Sequence, residues 1–238
     1  MVKNYQNGIR LARLWEIWKI LSAEQKRALD EKAQQVVYER NKLIYRLGET
    51  PVNLMCLLHG KVKIFKKGIS GRNQIVRVIE PQQYFGYRAY FAEKKPEEGR
   101  YLTNAAAFEK STVLLIPLTL VEGFMKENYE LCRLFIRLLS VDLGIADERT
   151  VNLTQKHVRS RLAEALLFLR DSYGMEGDKA TLSIYLGRED LANLSNMTAA
   201  NASRTLKSFV SEKIIAVDGR KIKLIDDKKL ERISRHGD

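Results

Sequence analysis

One stretch, Gly187 to Leu224, constrains the fold most, because two short helical patterns are followed there by a hairpin pattern. Arg188 to Leu194 is typical of a first helix, and a tight polar turn follows it. Asn196 lies in this turn, where a left-handed backbone is expected and asparagine tolerates it well. Thr198 is a good N-cap for a second helix that we expect to end near Ser211. The stretch therefore predicts a helix-turn-helix.

The predicted second helix has one apolar face and one face of small and basic residues. Ala202, Leu206 and Phe209 (or Val210) follow the i, i+4, i+7 spacing of a buried stripe. Small residues on the opposite face let the helix approach another surface closely, with long basic side chains beside them. Such a helix fits the major groove of DNA, where arginine can form a bidentate pair with guanine O6 and N7. The residues of that face are Ala199, Ala200, Ser203, Arg204 and Lys207.

A basic β-hairpin is predicted directly after the second helix. Ile214 to Val217 and Lys221 to Ile225 are predicted strands, and Asp218-Gly219 between them is a strong hairpin signal. Its basic residues give this hairpin the character of a wing that contacts phosphates. The alternative is a small helical domain with a solvated basic face. If the stretch binds DNA, the contacting residues are Arg188, Thr198, Ala199, Ala200, Asn201, Ser203, Arg204, Lys207, Arg220 and Lys221.

Length and charge are consistent with this interpretation. The 238 residues suffice for one or two domains, and their net charge of +12 favours a polyanionic partner. No apolar run approaches the ~20 residues of a membrane span, and the N-terminus lacks a signal-peptide pattern. The two cysteines, Cys56 and Cys132, do not make a disulfide framework. We therefore expect a cytoplasmic protein whose partner is double-stranded DNA and not a membrane.

Residues 9–35, near the N-terminus, are predicted to be helical. An apolar stripe at helical spacing predicts packing against a sheet, with a partner surface as the alternative. Ser22 begins a new segment, because Ser22 to Gln25 has the form of a capping box. The stripe consists of Leu11, Leu14, Trp15, Trp18 and Leu21.

Between Val36 and Ile116 the sequence changes to short β patterns separated by turns. Leu54 to Leu58 is an apolar strand, and Lys61 to Lys66 alternates with a period of two after a turn at His59-Gly60. Many short strands with glycine-marked turns are typical of a β-barrel or a double-sheet jelly roll. Further strands are predicted at Gln74 to Ile79 and Val113 to Ile116.

Residues 118–151 contain no proline and are predicted to be strongly helical. Apolar residues recur along them at alternating steps of three and four, as in the seam of a coiled coil. The alternative is an amphipathic helix packed on its own barrel, and Phe135, Ile136 and Leu139 supply apolar positions for that second face. A helix buried on two sides predicts a homodimer. The predicted seam consists of Leu131, Leu134, Leu138, Val141 and Ile145.

The order of these elements resembles the Crp/Fnr family of bacterial transcription regulators. The resemblance implies an α+β fold: a cyclic-nucleotide-binding-like β-roll (a double-stranded jelly roll) that senses a signal, a long dimerisation helix, and a C-terminal winged helix-turn-helix. The corresponding segments are 1–117, 118–151 and 152–238. RNA polymerase is implied as a further partner. The matching residues are Leu47-Gly48-Glu49, His59 to Val62, Tyr84-Phe85-Gly86, Val158 to Leu167 and the stretch from Gly187 to Leu224.

The chain departs from the branch of this family that binds cyclic AMP. That branch has a Gly-Glu pair on the ribose and an Arg-Ser pair on the phosphate, where this chain has Gly86-Tyr87 and Tyr101-Leu102. Arg100 lies one position early, so a buried cyclic phosphate lacks a cationic partner unless the register shifts. The departures argue against cyclic AMP and leave open another small-molecule effector, flat or apolar, or a pocket filled by its own aromatic side chains. The candidate pocket residues are Gly86, Tyr87, Arg100, Tyr101 and Thr103.

Iron–sulfur, haem and metal chemistry are also disfavoured. An iron–sulfur cluster needs four cysteine thiolates, and two cysteines cannot supply them. His59 or Cys56 could ligate a haem, but a lone histidine in a hairpin turn is more often a turn residue. A cupin-like metalloenzyme would need two or three histidines in the barrel, and His59 is the single one there. We therefore expect no cofactor, no metal site and no catalytic residue.

The predicted recognition helix departs from the family as well. The family usually has a glutamate where this chain has Ala200, whereas Ser203-Arg204 match its Ser-Arg pair. The resemblance therefore implies a different half-site, with alanine methyls against thymine methyls and Asn201 on adenine. The expected function is a homodimeric, sequence-specific regulator on a near-palindromic operator. The alternatives are a constitutive regulator without a ligand and a dimeric signalling module that binds no DNA.

Overall fold

The computed structural model describes residues 15–68, 71–92 and 98–237. The chain divides into two compact units. The first contains the chain up to Lys66 together with Arg77–Gly144, and the second contains Lys67–Val76 and Ile145–Asp238. Each unit is described by itself below.

The helices and strands are numbered in chain order. The helices are α1 (Trp15–Ile20), α2 (Ala23–Lys32), α3 (Arg88–Ala92), α4 (Leu118–Glu127), α5 (Tyr129–Gln155), α6 (Val158–Tyr173), α7 (Arg188–Leu194), α8 (Ala199–Ser211) and α9 (Asp227–His236). The strands are β1 (Gln34–Tyr38), β2 (Leu43–Tyr45), β3 (Asn53–His59), β4 (Val62–Lys67), β5 (Asn73–Ile79), β6 (Tyr84–Phe85), β7 (Asn104–Ala107), β8 (Ser111–Pro117), β9 (Ile215–Asp218) and β10 (Lys221–Leu224). Among the described residues, no helix combines the length and the apolar character that crossing a membrane requires.

Strands β1 to β8 form two four-stranded sheets, with the strand orders β1-β8-β3-β6 and β2-β7-β4-β5. This arrangement confirms the predicted double-sheet jelly roll. Strand β3 is covered on both faces, which explains why its sequence is continuously apolar rather than alternating. Leu54, Cys56 and Leu58 join the core beneath the helices. Met55 and Leu57 join the core that the two sheets share.

Helices α1 and α2 occupy the described part of the segment that was predicted as helix over residues 9–35. The predicted capping box at the start of α2 is confirmed. Ser22 Oγ accepts a hydrogen bond from Gln25 N at 3.1 Å, and Gln25 Oε1 accepts one from Ser22 N at 3.2 Å. The prediction extended the helix too far, since α2 ends at Lys32 and β1 begins two residues later.

The apolar stripe of the N-terminal helices packs against the roll, as the sequence predicted. Leu21 is buried in the core beneath the helices, and Trp18 packs partly against that core. Ile17, which the predicted stripe omitted, is buried there too. Two stripe positions, Leu11 and Leu14, and the Trp15 side chain lie outside the described residues.

The helical segment predicted over residues 118–151 is divided at Asn128 into α4 and α5. The backbone of Asn128 is extended, with φ of −129° and ψ of 95°. Its side chain explains the break: Nδ2 donates to Ile20 O at 2.8 Å and to Gln25 Oε1 at 3.3 Å, while Oδ1 accepts from Leu131 N at 3.2 Å. Asn128 therefore caps α5 and ties its start to the N-terminal helices.

The sequence from Thr181 to Tyr185 predicts a short strand, and this prediction is wrong. The structure has two isolated bridges there, Met175 with Leu182 and Thr181 with Lys223. Asp178 accounts for the difference, because its carboxylate accepts the backbone N–H of Thr181 at 2.8 Å, a group that a strand ladder would use. Hydrogen bonds from the Thr181 and Ala180 backbones and from the Thr181 hydroxyl hold the pKa of Asp178 well below its usual range.

We predict that Asn128→Ala lowers the free energy of unfolding by about 1–3 kcal/mol, because it removes a helix cap and leaves a buried carbonyl unpaired. Urea denaturation would measure the change. Glu127→Ala is the matched control, since Glu127 is the exposed neighbouring residue and its loss should cost less than about 0.5 kcal/mol. Equal effects of the two substitutions would contradict the role assigned to Asn128.

Candidate nucleic-acid interface

Helices α7 and α8 form the predicted helix-turn-helix. Leu191 and Leu194 on α7 are buried, and the Ser195 hydroxyl donates to Leu191 O at 2.8 Å to close the end of that helix. Asn196 has a φ of +49°, which confirms the left-handed turn position. The turn is therefore tight because its residues supply both a local cap and the backbone conformation that it needs.

The buried stripe of α8 follows the predicted spacing. Thr198 caps the helix, because its Oγ1 accepts from Asn201 N at 3.1 Å. Ala202, Leu206 and Phe209 are at most 2% exposed. Val210, the alternative to Phe209, is 42% exposed and lies outside the stripe. The stripe determines which face of α8 is left uncovered.

The uncovered face of α8 has the composition that close approach to DNA requires. Ala199, Ala200, Arg204 and Lys207 are exposed in the described chain, and Ser203 is half-exposed. Two methyl groups therefore lie at the helix start, with two long cationic side chains farther along the same face. This is the geometry in which a helix can enter a major groove and place arginine at base edges.

Arg204 contacts Asn201, its neighbour on the exposed side of α8. Its Nη2 donates to Asn201 Oδ1 at 2.8 Å. A guanidinium has five N–H donors, so Arg204 keeps enough of them for a bidentate pair with guanine. Asn201 needs its carbonyl oxygen to read adenine, and that oxygen already accepts from Arg204. An amide oxygen has two lone pairs, so Asn201 can accept from Arg204 and from adenine at the same time, and the sequence-based assignment stays a prediction.

Strands β9 and β10 form the predicted basic hairpin. Asp218 pairs with Lys221, so the loop consists of Gly219 and Arg220. Gly219 has a φ of +56°, which glycine at the first position of a two-residue hairpin loop accommodates without strain. Arg220 is exposed at the tip, and Lys221 Nζ lies 5.4 Å from the ring of Tyr185. Arg188, the remaining predicted contact, is half-exposed at the start of α7.

A support for α8 that the sequence did not reveal comes from α6. Arg159 donates to Ser208 Oγ at 2.8 Å and to Glu212 Oε2 at 2.6 Å, and its guanidinium lies 4.8 Å from the Phe209 ring. The hydrogen bonds from Arg159 and Ser208 lower the pKa of Glu212 to about 2. No local signal links residues so distant in sequence. This support anchors the C-terminal end of α8 and leaves its first turns to face outward.

The structure divides the predicted effector pocket between two cores and the surface. Tyr101 stacks on Tyr45, with ring centroids 3.8 Å apart, and the Tyr45 hydroxyl lies 3.3 Å from Thr103 Oγ1. A Cβ at Gly86 would lie 3.4 Å from the Tyr101 hydroxyl, so these positions share the core between the sheets. Here the roll is filled by its own aromatic rings.

The other two positions lie apart from that group. Tyr87 belongs to the core beneath the helices, where its ring meets Phe135 edge-on at 5.3 Å. Arg100 is exposed and donates to Gly99 O at 2.8 Å. Tyr87 and Tyr101 therefore pack in different cores, and an effector site that includes all five residues stays a prediction.

Asp142 on α5 collects donors from three side chains on one carboxylate oxygen, a cluster that the sequence did not reveal. Its Oδ2 accepts from Arg77 Nη1 at 2.8 Å, from Arg88 Nε at 3.1 Å and from the Tyr87 hydroxyl at 3.3 Å. Asp142 is 8% exposed. Burial lowers the pKa of Arg77, and burial together with Asp142 raises the pKa of Tyr87 to about 12. The cluster ties α5 to the roll by charge.

The residues of the seam predicted on α5 differ in burial within one protomer. Leu131 and Leu134 are buried in the protomer's own core, and Leu138 packs against it. Val141 and Ile145 are each 55% exposed. The predicted seam therefore changes from buried to exposed along its length, because its first half already packs on the roll.

The haem and metal alternatives gain no support from the described residues. Cys56 is fully buried, and burial raises the pKa of its thiol to about 12. His59 is exposed. Among the residues that the structure describes, no three His, Cys, Asp or Glu side chains are grouped so that they could hold a metal ion.

Two family models match the chain. Residues 35–128 match the cyclic nucleotide-binding domain, and residues 160–233 match the Crp-like helix-turn-helix domain. The chain belongs to the Crp/Fnr family. As in this family of DNA-binding transcription regulators, an N-terminal β-sheet domain, a long helix and a helix-turn-helix follow one another along the chain.

The chain matches curated transcription regulators over most of their length. The chain is 27% identical over 186 residues to the global nitrogen regulator of Nostoc sp., which covers 78% of this chain and 82% of that protein. It is 22% identical over 209 residues to the CRP-like cAMP-activated global transcriptional regulator of Mycobacterium tuberculosis, with 87% and 91% covered. The structure of FixK2 from Bradyrhizobium japonicum has the same fold, with a TM-score of 0.73, 21% identity, and 84% of this chain and 96% of that chain covered.

We predict that Arg204→Ala weakens binding to the preferred DNA site by about 1–3 kcal/mol and relaxes specificity at one base pair. Titrations with the selected site and with its single-base variants would measure both effects. Lys228→Ala is the control, because Lys228 is exposed on α9 outside the predicted contacts. Uniform weakening on all sequences, with a smaller salt slope, would instead make Arg204 a phosphate contact.

Proposed function

We propose that this regulator acts as a homodimer on a near-palindromic DNA site in the bacterial cytoplasm, together with RNA polymerase, as a binding protein rather than an enzyme. The observation that carries the proposal is the uncovered face of α8. Small residues there are followed by Arg204 and Lys207, and the basic hairpin comes next in the chain. Both features fit groove and phosphate contacts.

The exposed face of α5 supports a second copy of the chain as the partner. Its residues recur at alternating steps of three and four, the spacing of a two-stranded coiled coil. Ile136 and Leu143 are more than 60% exposed, and Leu139 is 36% exposed. We call this face the outer seam. It consists of Ile136, Leu139, Leu143, Ala146, Thr150 and Leu153.

The inner face of the same helix explains why the outer seam is the one that pairs. Phe135, Leu138 and Asp142 lie on the side that packs on the roll. An apolar row left in water on the other side favours self-association, since the hydrophobic effect scales with the apolar area removed from water. A symmetric pair would place two α8 helices in successive major grooves about 34 Å apart.

We predict that Leu143→Asp, in the outer seam, dissociates the dimer and weakens DNA binding at least about tenfold, because it buries an unpaired charge at the interface. Val141→Asp is the matched control on the same helix, and it should leave the dimer intact. Sedimentation and DNA titration would measure the two effects. Dissociation by Val141→Asp alone would restore the seam predicted from sequence and contradict the one proposed here.

A ligand-independent regulator is the second candidate, and the Asp142 cluster favours it. Arg77 and Arg88 already have a carboxylate from their own chain, and Tyr45 and Tyr101 fill the core between the sheets. Because the arginines are paired and the core is filled, the roll holds α5 in place without an added anion. We infer that purified protein binds its DNA site with no effector supplied.

We predict that Asp142→Asn lowers the free energy of unfolding by about 1–3 kcal/mol, because the substitution leaves the largely buried Arg77 without its counter-charge. Asp147→Asn is the control, since Asp147 is an exposed aspartate on the same helix. Urea denaturation of both variants would measure the difference. An unchanged stability of Asp142→Asn would mean that the arginines do not depend on this carboxylate.

A further inference from the structure

A cavity of about 290 Å³ lies in the second unit between α5, α6 and the end of α7. Its apolar wall is formed by Ile145, Leu153 and Leu194, with Phe168 at the rim. Arg161 and Glu164 contribute the polar wall from α6. The volume is near the lower end of the range that small-molecule sites occupy, so it suits a compact ligand.

Arg161 stands out among the polar groups of this cavity. Its Nε is buried and has no hydrogen-bond partner among the residues that the structure describes. A buried donor without a partner costs about 1–3 kcal/mol and more when it is charged. Folded proteins pair nearly all such groups, so an exception indicates a missing partner.

Two other charged groups of the cavity, Arg149 and Glu164, already have partners, and Glu148 is an exposed carboxylate at its edge. Arg149 donates to the carbonyl oxygens of Ile75, Val76 and Leu194, the last at 3.1 Å. Glu164 accepts from Asn152 Nδ2 at 2.7 Å and lies 3.1 Å from Lys156 Nζ. Arg149 and Glu164 are therefore engaged elsewhere, and neither pairs with Arg161 Nε.

We propose that the cavity binds a small organic acid, a monocarboxylate with an aromatic or branched aliphatic body. Its carboxylate accepts from Arg161, and its body replaces water on the apolar wall. A guanidinium and a carboxylate match in geometry and form strong, charge-assisted hydrogen bonds. Such a molecule satisfies the unpaired donor and covers the apolar side chains together.

Other molecules would either pair with Arg161 on the polar wall or cover the apolar wall, but they would not do both. Water could pair Arg161 but would leave Ile145 and Leu153 hydrated. A DNA phosphate would meet the same apolar wall at a cost. A second copy of the chain would pair through the outer seam, which shares Leu153 with the cavity wall, whereas Ile145 and Asn152 lie on the other side of α5.

The position of the cavity suggests what occupancy does, and this part of the inference rests on the proposed function. The bound acid would contact α5, α6 and the residues Leu194 and Ser195 at the start of the helix-turn-helix turn. It would therefore stiffen the joint at Lys156-His157, where α5 ends and α6 begins. A ligand that prefers one arrangement of this joint shifts the population toward it.

The test is calorimetry on the full chain with benzoate, phenylacetate and isovalerate, each compared with its uncharged primary amide. We expect at least one acid to bind with a Kd below about 1 mM, and its amide to bind at least tenfold more weakly. Because the readout uses no DNA, a failure here leaves the DNA-binding proposal intact. Equally, a protein that binds no DNA would leave this site intact.

Two variants complete the experiment. Arg161→Leu should abolish binding of the acid while keeping or raising the melting temperature, since it removes an unpaired buried donor. Arg232→Leu, on the exposed face of α9, should bind as the unchanged chain does. The proposal is overturned if no acid binds up to about 10 mM, if acid and amide bind equally, or if binding survives Arg161→Leu.

Discussion

The charge contact between Asp142 and the roll determines which side of α5 turns inward. A carboxylate that is 8% exposed needs partners, and Arg77 and Arg88 supply them. Together with Phe135 on the same face, this contact fixes the rotation of the helix about its own axis. The opposite face must then lie outward, and it presents the apolar row of the outer seam. In the proposed dimer, pairing thus depends on a polar contact inside one protomer.

Helix α8 of the helix-turn-helix likewise has one face turned inward and the opposite face exposed. Ala202, Leu206 and Phe209 bury one side of α8, and Arg159 anchors its C-terminal end. The exposed face has the small side chains of Ala199 and Ala200, followed by the cationic side chains of Arg204 and Lys207. A helix fixed in this way can enter a groove without rearranging its own core.

Local signals predicted much of this fold because their causes lie within a few residues. The Thr198 cap, the left-handed Asn196 and the capping box at Ser22 are each made by neighbours in sequence, and the structure contains all three. The strand pattern likewise predicted a β-barrel or a double-sheet jelly roll, since alternation and turn residues are local properties, and the structure has the jelly roll. The function class followed from the order of these elements.

Errors arose where a partner distant in sequence decides the outcome. Two faces of α5 have apolar residues at alternating steps of three and four. This spacing alone does not show which face packs on the roll, because that depends on the ion pair between Asp142 and Arg77. Asn128 breaks the helix because it reaches Ile20, far back along the chain. The five pocket residues were grouped by the family resemblance, although Tyr87 and Tyr101 face different cores.

The most direct test of the central claim is selection of random DNA by the purified chain, without added ligand, at two salt concentrations. We expect a near-palindromic site whose half-sites are one helical turn apart and whose affinity falls steeply with salt. Such a site would show that two copies bind DNA together and that the β-roll needs no effector for this binding. Binding that is weak and indifferent to sequence at both salt concentrations would contradict the ligand-independent reader, and no binding at either would contradict DNA recognition by α8.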